Sequence, residues 1–374
     1  MNENYVTLGQ VCAKGSSNIA QKDLAEREGQ YPIYGAAGLI KNVDFAHQKQ
    51  PYIAVVKDGA GIGRVMKLPA YSSVIGTMQY IFPKENVDID YLFYALQHMN
   101  LGKYFSGSTI PHIYFRDYQK ERLKLPVMKV QQRQADTLSR IDALSAYGQR
   151  QIALMDEIVK SRFIELFDNT PYDSNKVYLD EISDFVTVGI ANSATHAYAE
   201  SGVVMLRNQN IKENYLDEND LIYITPDFAK KYGSKKLVEN DILVIRTGYP
   251  GIACLVPKKY EGCQTFTTLI VRLKAPTLAH ANYVCHYINS SFGKDYVEQS
   301  KVGVAQQNFG AKALARMPIL IPPMEIQEQF AAFVAEVDKS KFRIQKSLST
   351  SRKLWTMAQI DAIMNMDFST QRSL

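Results

Sequence analysis

Two long stretches of this chain open almost identically. Leu125-Pro126-Val127-Met128-Lys129-Val130-Gln131-Gln132 is followed, 196 positions later, by Ile321-Pro322-Pro323-Met324-Glu325-Ile326-Gln327-Glu328. At the same offset Ala135 matches Ala331, Leu138 matches Val334, Ile141 matches Val337 and Asp142 matches Asp338. An internal repeat on this scale requires one architecture to be built twice. Proline sits well at or just before the first turn of a helix, so a helix is expected to begin a few residues past Pro126 and again past Pro322. Apolar residues then recur mostly three or four apart: Leu138, Ile141, Leu144, Ile152, Met155, Val159, Phe163 and Leu166 in the first copy, and Phe330, Phe333, Val337, Ile344, Leu348, Trp355 and Ala358 in the second. These are amphipathic stripes near a heptad seam. About 38 residues at ~1.5 Å each make a rod of roughly 57 Å, which needs a partner along its length. Its own repeat, paired antiparallel as a coiled coil, is the simplest one.

The segments ahead of the two rods also correspond. Tyr52-Ile53-Ala54-Val55-Val56 and Gly76-Thr77-Met78-Gln79-Tyr80-Ile81-Phe82 read as strands, and Asp90–Leu96 as a short helix. Asp241–Gly248, Phe266–Val271 and Asn282–Ile288 answer them, and Gly293-Lys294-Asp295-Tyr296 answers Gly102-Lys103-Tyr104. The expected plan is therefore α+β: two globular domains, residues 1–124 and 168–320, separated by long helices at 125–167 and in 321–374, as a pseudo-twofold internal repeat. The loops between matched strands diverge, as they do where a fixed frame carries binding residues on its loops.

Composition sets the outer limits. A chain of 374 residues with 46% hydrophobic content can form two or three domains with real cores. It contains no apolar run of about 18 residues, and Met1-Asn2-Glu3-Asn4-Tyr5 lacks a signal-peptide pattern, so a cytoplasmic protein without membrane association is expected. Cys12, Cys254, Cys263 and Cys285 form no Cys-x-x-Cys pair and read as reduced structural thiols. A net charge of +5 permits nucleic-acid binding through a local patch without arguing for it.

The motifs that could carry catalysis do not fit it. Asp58-Gly59-Ala60-Gly61-Ile62-Gly63 follows a strand, as a nucleotide-binding loop would, but Arg64-Val65-Met66-Lys67-Leu68 beyond it reads as another strand, which makes a hairpin turn. The single Pro-Pro, within Ile321-Pro322-Pro323-Met324, lacks the Asn/Asp and aromatic flanks expected of an adenine methyltransferase. His280 and His286 lie near Cys285 on a helix without metal-ligand spacing, so no metal site is expected. Groups that read base edges or hold phosphates cluster in loops instead. They are Lys57 and Arg64, then Ser108, Thr109, His112 and Tyr114, and in the second half Arg207, Asn208, Gln209, Arg246, Thr247, Tyr249, Gln306, Gln307 and Asn308. Two such domains on paired helices can address two different half-sites of a duplex, about one turn of ~10 base pairs apart centre to centre.

Taken together, the chain resembles the specificity subunit of type I restriction-modification systems over nearly its whole length. The resemblance is carried by Leu-Pro-Val-Met-Lys-Val-Gln, by Ile-Pro-Pro-Met-Glu-Ile-Gln and by Gly29-Gln30-Tyr31-Pro32-Ile33-Tyr34-Gly35-Ala36-Ala37-Gly38. The family's usual Glu-Gln pair after the prolines is only partly kept, as Gln131-Gln132 and Gln327-Glu328. The resemblance implies a non-catalytic subunit that selects a bipartite, asymmetric target on double-stranded DNA. It also implies that two methyltransferase subunits and restriction/translocase subunits are partners. S-adenosylmethionine, ATP and Mg would then belong to those partners, with no cofactor in this chain. Docking on the helices would involve the stripe residues Leu138, Ile141, Met155, Phe163, Phe333, Val337, Leu348 and Trp355. A coiled-coil scaffold unrelated to DNA and a self-sufficient adenine methyltransferase are the alternatives.

Overall fold

A computed structural model describes residues 5–107, 111–167, 176–191, 195–275, 278–301 and 308–363. Ser108, Thr109, Gln306 and Gln307 lie outside the described residues. The chain forms two compact units, residues 1–150 with 344–374 and residues 151–343, so each long helix contributes to both.

In the first unit a four-stranded antiparallel sheet has the order Cys12–Ser16, Met78–Pro83, Tyr52–Val56, Val65–Leu68. All five residues of Tyr52–Val56 are buried, because both faces of this central strand are covered. Ile53 and Val55 enter a core shared with the helix Ile89–His98 and with Ala135 and Leu138 of the first long helix. Tyr52, Ala54 and Val56 enter a second cluster on the opposite face with Val74, Met78 and Tyr80. A smaller sheet has the order Gly38–Val43, Tyr31–Gly35, Ser73–Val74, its last pair parallel.

The second unit repeats this topology. Its main sheet has the order Ser183–Val188, Leu269–Leu273, Ile242–Val244, Ala253–Leu255, all antiparallel. Ile242 and Val244 face a core with the helix Ala281–Asn289, Phe163, Phe330 and Val334, while Leu243 faces the other side. A second sheet again holds one parallel pair, Val203–Leu206 with Gln264–Thr265. The Gly102-Lys103-Tyr104 correspondence is looser than expected: Leu101–Tyr104 is a 3-10 turn, whereas Ser291–Ser300 is an α-helix. Serine at its N-cap explains the difference, because the Ser290 hydroxyl accepts from Gly293 N while the first segment lacks such a cap.

The long helices are Met128–Phe167 and Met324–Ile363. In the first unit Trp355 packs on the core containing Ala135 and Leu138, and Leu348 seats against Gly148. In the second, Lys341 pairs with Asp156, and Phe330 packs edge-on to Phe163 and Phe167 at centroid distances of 5.4 and 5.6 Å. Higher numbers on one helix meet lower numbers on the other in each unit, so the segments run antiparallel. The seam corrects one expected position: Leu144 is 61% exposed, and the half-buried Ser145 and buried Gly148 turn inward instead. A Cβ on Gly148 would come within 2.6 Å of Leu348 Cδ2, so glycine admits the leucine knob there.

All four cysteines are free and buried. Burial pushes the thiols of Cys12 and Cys254 up to about 12, as inert core groups require, with Lys84 opposing the shift at Cys12. Among the described residues no helix is long and apolar enough to cross a membrane.

Candidate nucleic-acid interface

The repeated opening words have a structural task that supports the loops. Gln131 is only 1% exposed. Its Nε2 donates to the carbonyls of Pro126 (2.8 Å) and Asn86 (2.9 Å), and its Oε1 accepts from Asp88 N (2.9 Å). Gln327, at 0%, does the same in the second unit: it donates to Pro322 (2.8 Å) and Leu278 (3.1 Å) and accepts from His280 N (2.8 Å). Asp88 and His280 are in turn the N-caps of the short helices, through the Asp88 carboxylate and through His280 Nδ1. Burial, opposed by Glu328, holds the His280 imidazole below its ordinary value, and its Nδ1 accepts from Asn282 N at 3.2 Å. Buried tyrosines complete the joint, with Tyr91 Oη donating to Lys124 O (2.7 Å) and Tyr283 Oη to Leu320 O (2.8 Å). The joint fixes each long helix to its sheet and to the segment leading into it.

That segment crosses the sheet's hairpin. In the first unit Val56 N donates to Arg64 O and Gly63 N to Val56 O, closing the Asp58–Gly63 turn. Gly59, Gly61 and Gly63 there have φ of 80, 90 and 80°, a region costly for residues with a Cβ. The expected hairpin is thus present, with Val65–Leu68 as its second strand. His112 bridges Asp58, and Ile113 N donates to Lys57 O (2.9 Å). In the second unit Ile245 N donates to Ile252 O, Gly251 N donates to Ile245 O, Asn308 bridges Thr247, and Phe309 N donates to Arg246 O (2.9 Å). Lys57 and Arg246 are therefore equivalent, as are His112 and Asn308, which are themselves 196 positions apart.

The side chains differ on this shared frame. In the first unit His112 Nδ1 sits against the Asp58 carboxylate, and Lys57 Nζ lies 3.7 Å from the other Asp58 oxygen. Burial and then Lys57 hold the His112 imidazole below its ordinary value. His112 lies 4.1 Å from the Tyr114 ring, over which the Arg116 guanidinium sits at 4.6 Å. Arg64 is exposed and donates to Ala36 O (2.7 Å), tying the hairpin to the smaller sheet's turn. In the second unit Asn208 Nδ2 approaches Thr247 O and Oγ1 at 3.3 and 3.4 Å, and Arg246 Nε donates to Asn308 Oδ1 (3.0 Å). Arg207 donates to Asp220 O, Gln209 is exposed, and Tyr249 is 82% exposed on the turn.

Residues far apart in sequence thus converge at one end of each main sheet: 57, 58 and 112 in one unit, 208, 246, 247 and 308 in the other. Asp58, Arg116 and Asp220 neighbour the candidate groups without having been singled out, because loop composition alone does not say which residues fold over a turn. Among the described residues no acidic side chain pairs with Arg207 or Arg246, whereas Lys57 and His112 share Asp58. No group of three or more potential metal ligands occurs among the described residues.

Of the stripe residues expected to meet partner proteins, two are buried within the chain and the others are half-buried. Leu138 and Phe163 are core, Phe333 and Val337 pack against that core, Leu348 fills the space at Gly148, and Ile141, Met155 and Trp355 are half-buried. A two-helix seam consumes the apolar face that would otherwise be offered. Exposed large apolar side chains on the first helix are Val130, Leu144 and Tyr147 in the first unit and Leu154, Ile158 and Ile164 in the second.

The family model for the type I restriction modification DNA specificity domain matches residues 2–156 and 171–351. The type I restriction enzyme MjaVIII specificity subunit of Methanocaldococcus jannaschii is 20% identical over 353 residues, 84% of this chain and 80% of its own length. The type I restriction enzyme EcoEI specificity subunit of Escherichia coli is 30% identical over 136 residues, 34% of this chain and 23% of its own. The crystal structure of a type I restriction-modification S subunit from M. genitalium aligns with a TM-score of 0.59 at 14% identity, covering 98% of this chain and 97% of the other.

Proposed function

This chain belongs to the type I restriction-modification DNA specificity family, and we propose that it reads a split, asymmetric target on double-stranded DNA with one half assigned to each globular domain. The domains are taken as residues 1–124 and 168–320. The observation that carries this reading is the same crossing built twice, a hairpin turn met by the segment just ahead of a long helix, with different side chains on it. A conserved frame with unlike reading groups suits two unlike half-sites. Lys57, Arg64, Ser108, Thr109, His112 and Tyr114 are assigned to one half, and Arg207, Asn208, Gln209, Arg246, Thr247, Tyr249, Gln306, Gln307 and Asn308 to the other. Hydroxyls and cations hold phosphate while amides and guanidinium groups meet base edges.

In this reading the chain performs no catalysis and holds no cofactor. Two methyltransferase subunits dock on the helices and bring S-adenosylmethionine, while restriction/translocase subunits bring ATP and Mg. The assembly works in the cytoplasm.

The test is DNA affinity by fluorescence anisotropy for the chain assembled with its methyltransferase subunit, across a salt series. Log affinity should fall linearly with log salt, with a slope of roughly −0.9 per phosphate neutralised. Salt-independent or absent binding would favour a protein scaffold. Titration calorimetry showing S-adenosylmethionine bound to the chain alone would favour a self-sufficient methyltransferase.

A further inference from the structure

The second unit's hairpin holds an arginine in an unusual state of readiness. The Arg246 main chain is anchored, since its carbonyl accepts from Phe309 N at 2.9 Å, and Phe309 is fully buried. Its side chain is fixed at one edge only, where Nε donates to Asn308 Oδ1 at 3.0 Å. Its two terminal nitrogens have no partner among the described residues, and no carboxylate neutralises it there. Asn308 is itself held in place by its bridge to Thr247. The other side chains of this kind are committed: Arg64 donates a terminal nitrogen to Ala36 O, Arg207 one to Asp220 O, and Lys57 lies beside Asp58.

A planar guanidinium clamped through Nε presents its remaining N–H groups as a parallel fork. That fork matches the O6 and N7 acceptors on the major-groove edge of guanine, which makes arginine to guanine a strong specific pairing. Clamping also removes rotamer freedom before binding, so less is lost when the contact forms. Resting on the reading above, we infer that Arg246 reads a guanine in the second domain's half-site and that Asn308 is the positioning residue that aims it. The equivalent pair in the first unit, Lys57 and His112, has neither the fork nor the clamp, so this guanine contact belongs to one half of the target only.

The experiment maps methylated adenines genome-wide in cells carrying the full chain with its methyltransferase subunit, for the wild type, Arg246→Ala, Arg246→Gln, Asn308→Ala and Asn308→Asp. The wild type should give a split motif with a guanine in one half. Arg246→Ala should lower the preference for that guanine roughly 5- to 150-fold, the range of a bidentate base contact, and leave the other half unchanged. Arg246→Gln should move the preference towards adenine. Asn308→Ala should weaken it, and Asn308→Asp, which keeps an acceptor for Nε but adds the carboxylate that the site lacks, should weaken it too with an unchanged thermal midpoint, whereas a merely structural role would lower the midpoint and leave the guanine preference intact. A split motif whose guanine survives Arg246→Ala, or in which a different base pair becomes degenerate, overturns the assignment while leaving the two-domain reading intact. Loss of methylation at every site in both Arg246 variants, with an unchanged thermal midpoint, makes Arg246 a general anchor and also overturns it. A wild-type motif that is continuous overturns the two-domain reading itself.

Discussion

Replacing Gln327 by leucine should cost far more than its place beside a run of exposed charges suggests. The leucine fills similar space but makes none of the three hydrogen bonds, leaving Pro322 O, Leu278 O and His280 N without the amide that serves them. At about 1 kcal/mol for each backbone group left unmet, the loss is about 3 kcal/mol. That is a large part of the about 5–15 kcal/mol that holds a domain together. For a unit of this size it corresponds to a fall of roughly 6–12 °C in the transition that unit carries. Glu328→Leu, next along the helix and exposed, should stay within about 0.5 kcal/mol. Gln131→Leu and Gln132→Leu should repeat the contrast in the first unit. Differential scanning calorimetry of the four variants measures this directly. Equal shifts for Gln327→Leu and Glu328→Leu would refute the claim that the first residue of each pair is the clamp.

His286 is buried among Phe163 and Phe330, and burial, the largest cause, lowers its pKa from 6.5 to about 4. The unfolded chain therefore binds the extra proton first, so its contribution to stability is complete above about pH 6.5 and drains away as the pH falls towards 4. Chemical denaturation between about pH 7 and 4.5 should show that slope in the second unit, and His286→Phe should flatten it. Gly148→Ala should destabilise by about 1 kcal/mol, because overpacking against Leu348 exceeds the gain in helix propensity. The double variant with Leu348→Ala should then be at least about 1 kcal/mol more stable than the single effects sum to, as a double-mutant cycle would reveal. Tyr249→Ala should leave the thermal midpoint unchanged, since the side chain is 82% exposed, yet weaken DNA binding by the assembled complex in the anisotropy assay.

The repeat, the long helices and the buried central strands were legible because each rests on a local pattern. Proline followed by three-four spacing marks a helix, and Tyr52–Val56 and Ile242–Val244 are runs of apolar residues that only a sheet covered on both faces accepts. The seam's register was not legible. Hydrophobicity favours Leu144 over Ser145 and Gly148, but the choice depends on Leu348 arriving from the other helix. Nor could the Gln-Gln and Gln-Glu words show which residue turns inward, because two of the three partners of each of Gln131 and Gln327 are main-chain groups 43 to 49 residues upstream. The loop cluster was half visible: residue type marked Arg246 and Asn308 as binding groups, while their mutual bond follows from a sheet topology that brings positions 62 residues apart together. The same blindness made the seam residues Leu138 and Phe163 look available to partners.

The most direct test of the account is the methylation map of the unaltered chain expressed with its methyltransferase subunit, read by direct sequencing of host DNA. Two unrelated short sequences separated by a fixed unspecified spacer are predicted. A single continuous motif, or methylation without sequence preference, would contradict the claim that the two halves of this repeat each read DNA.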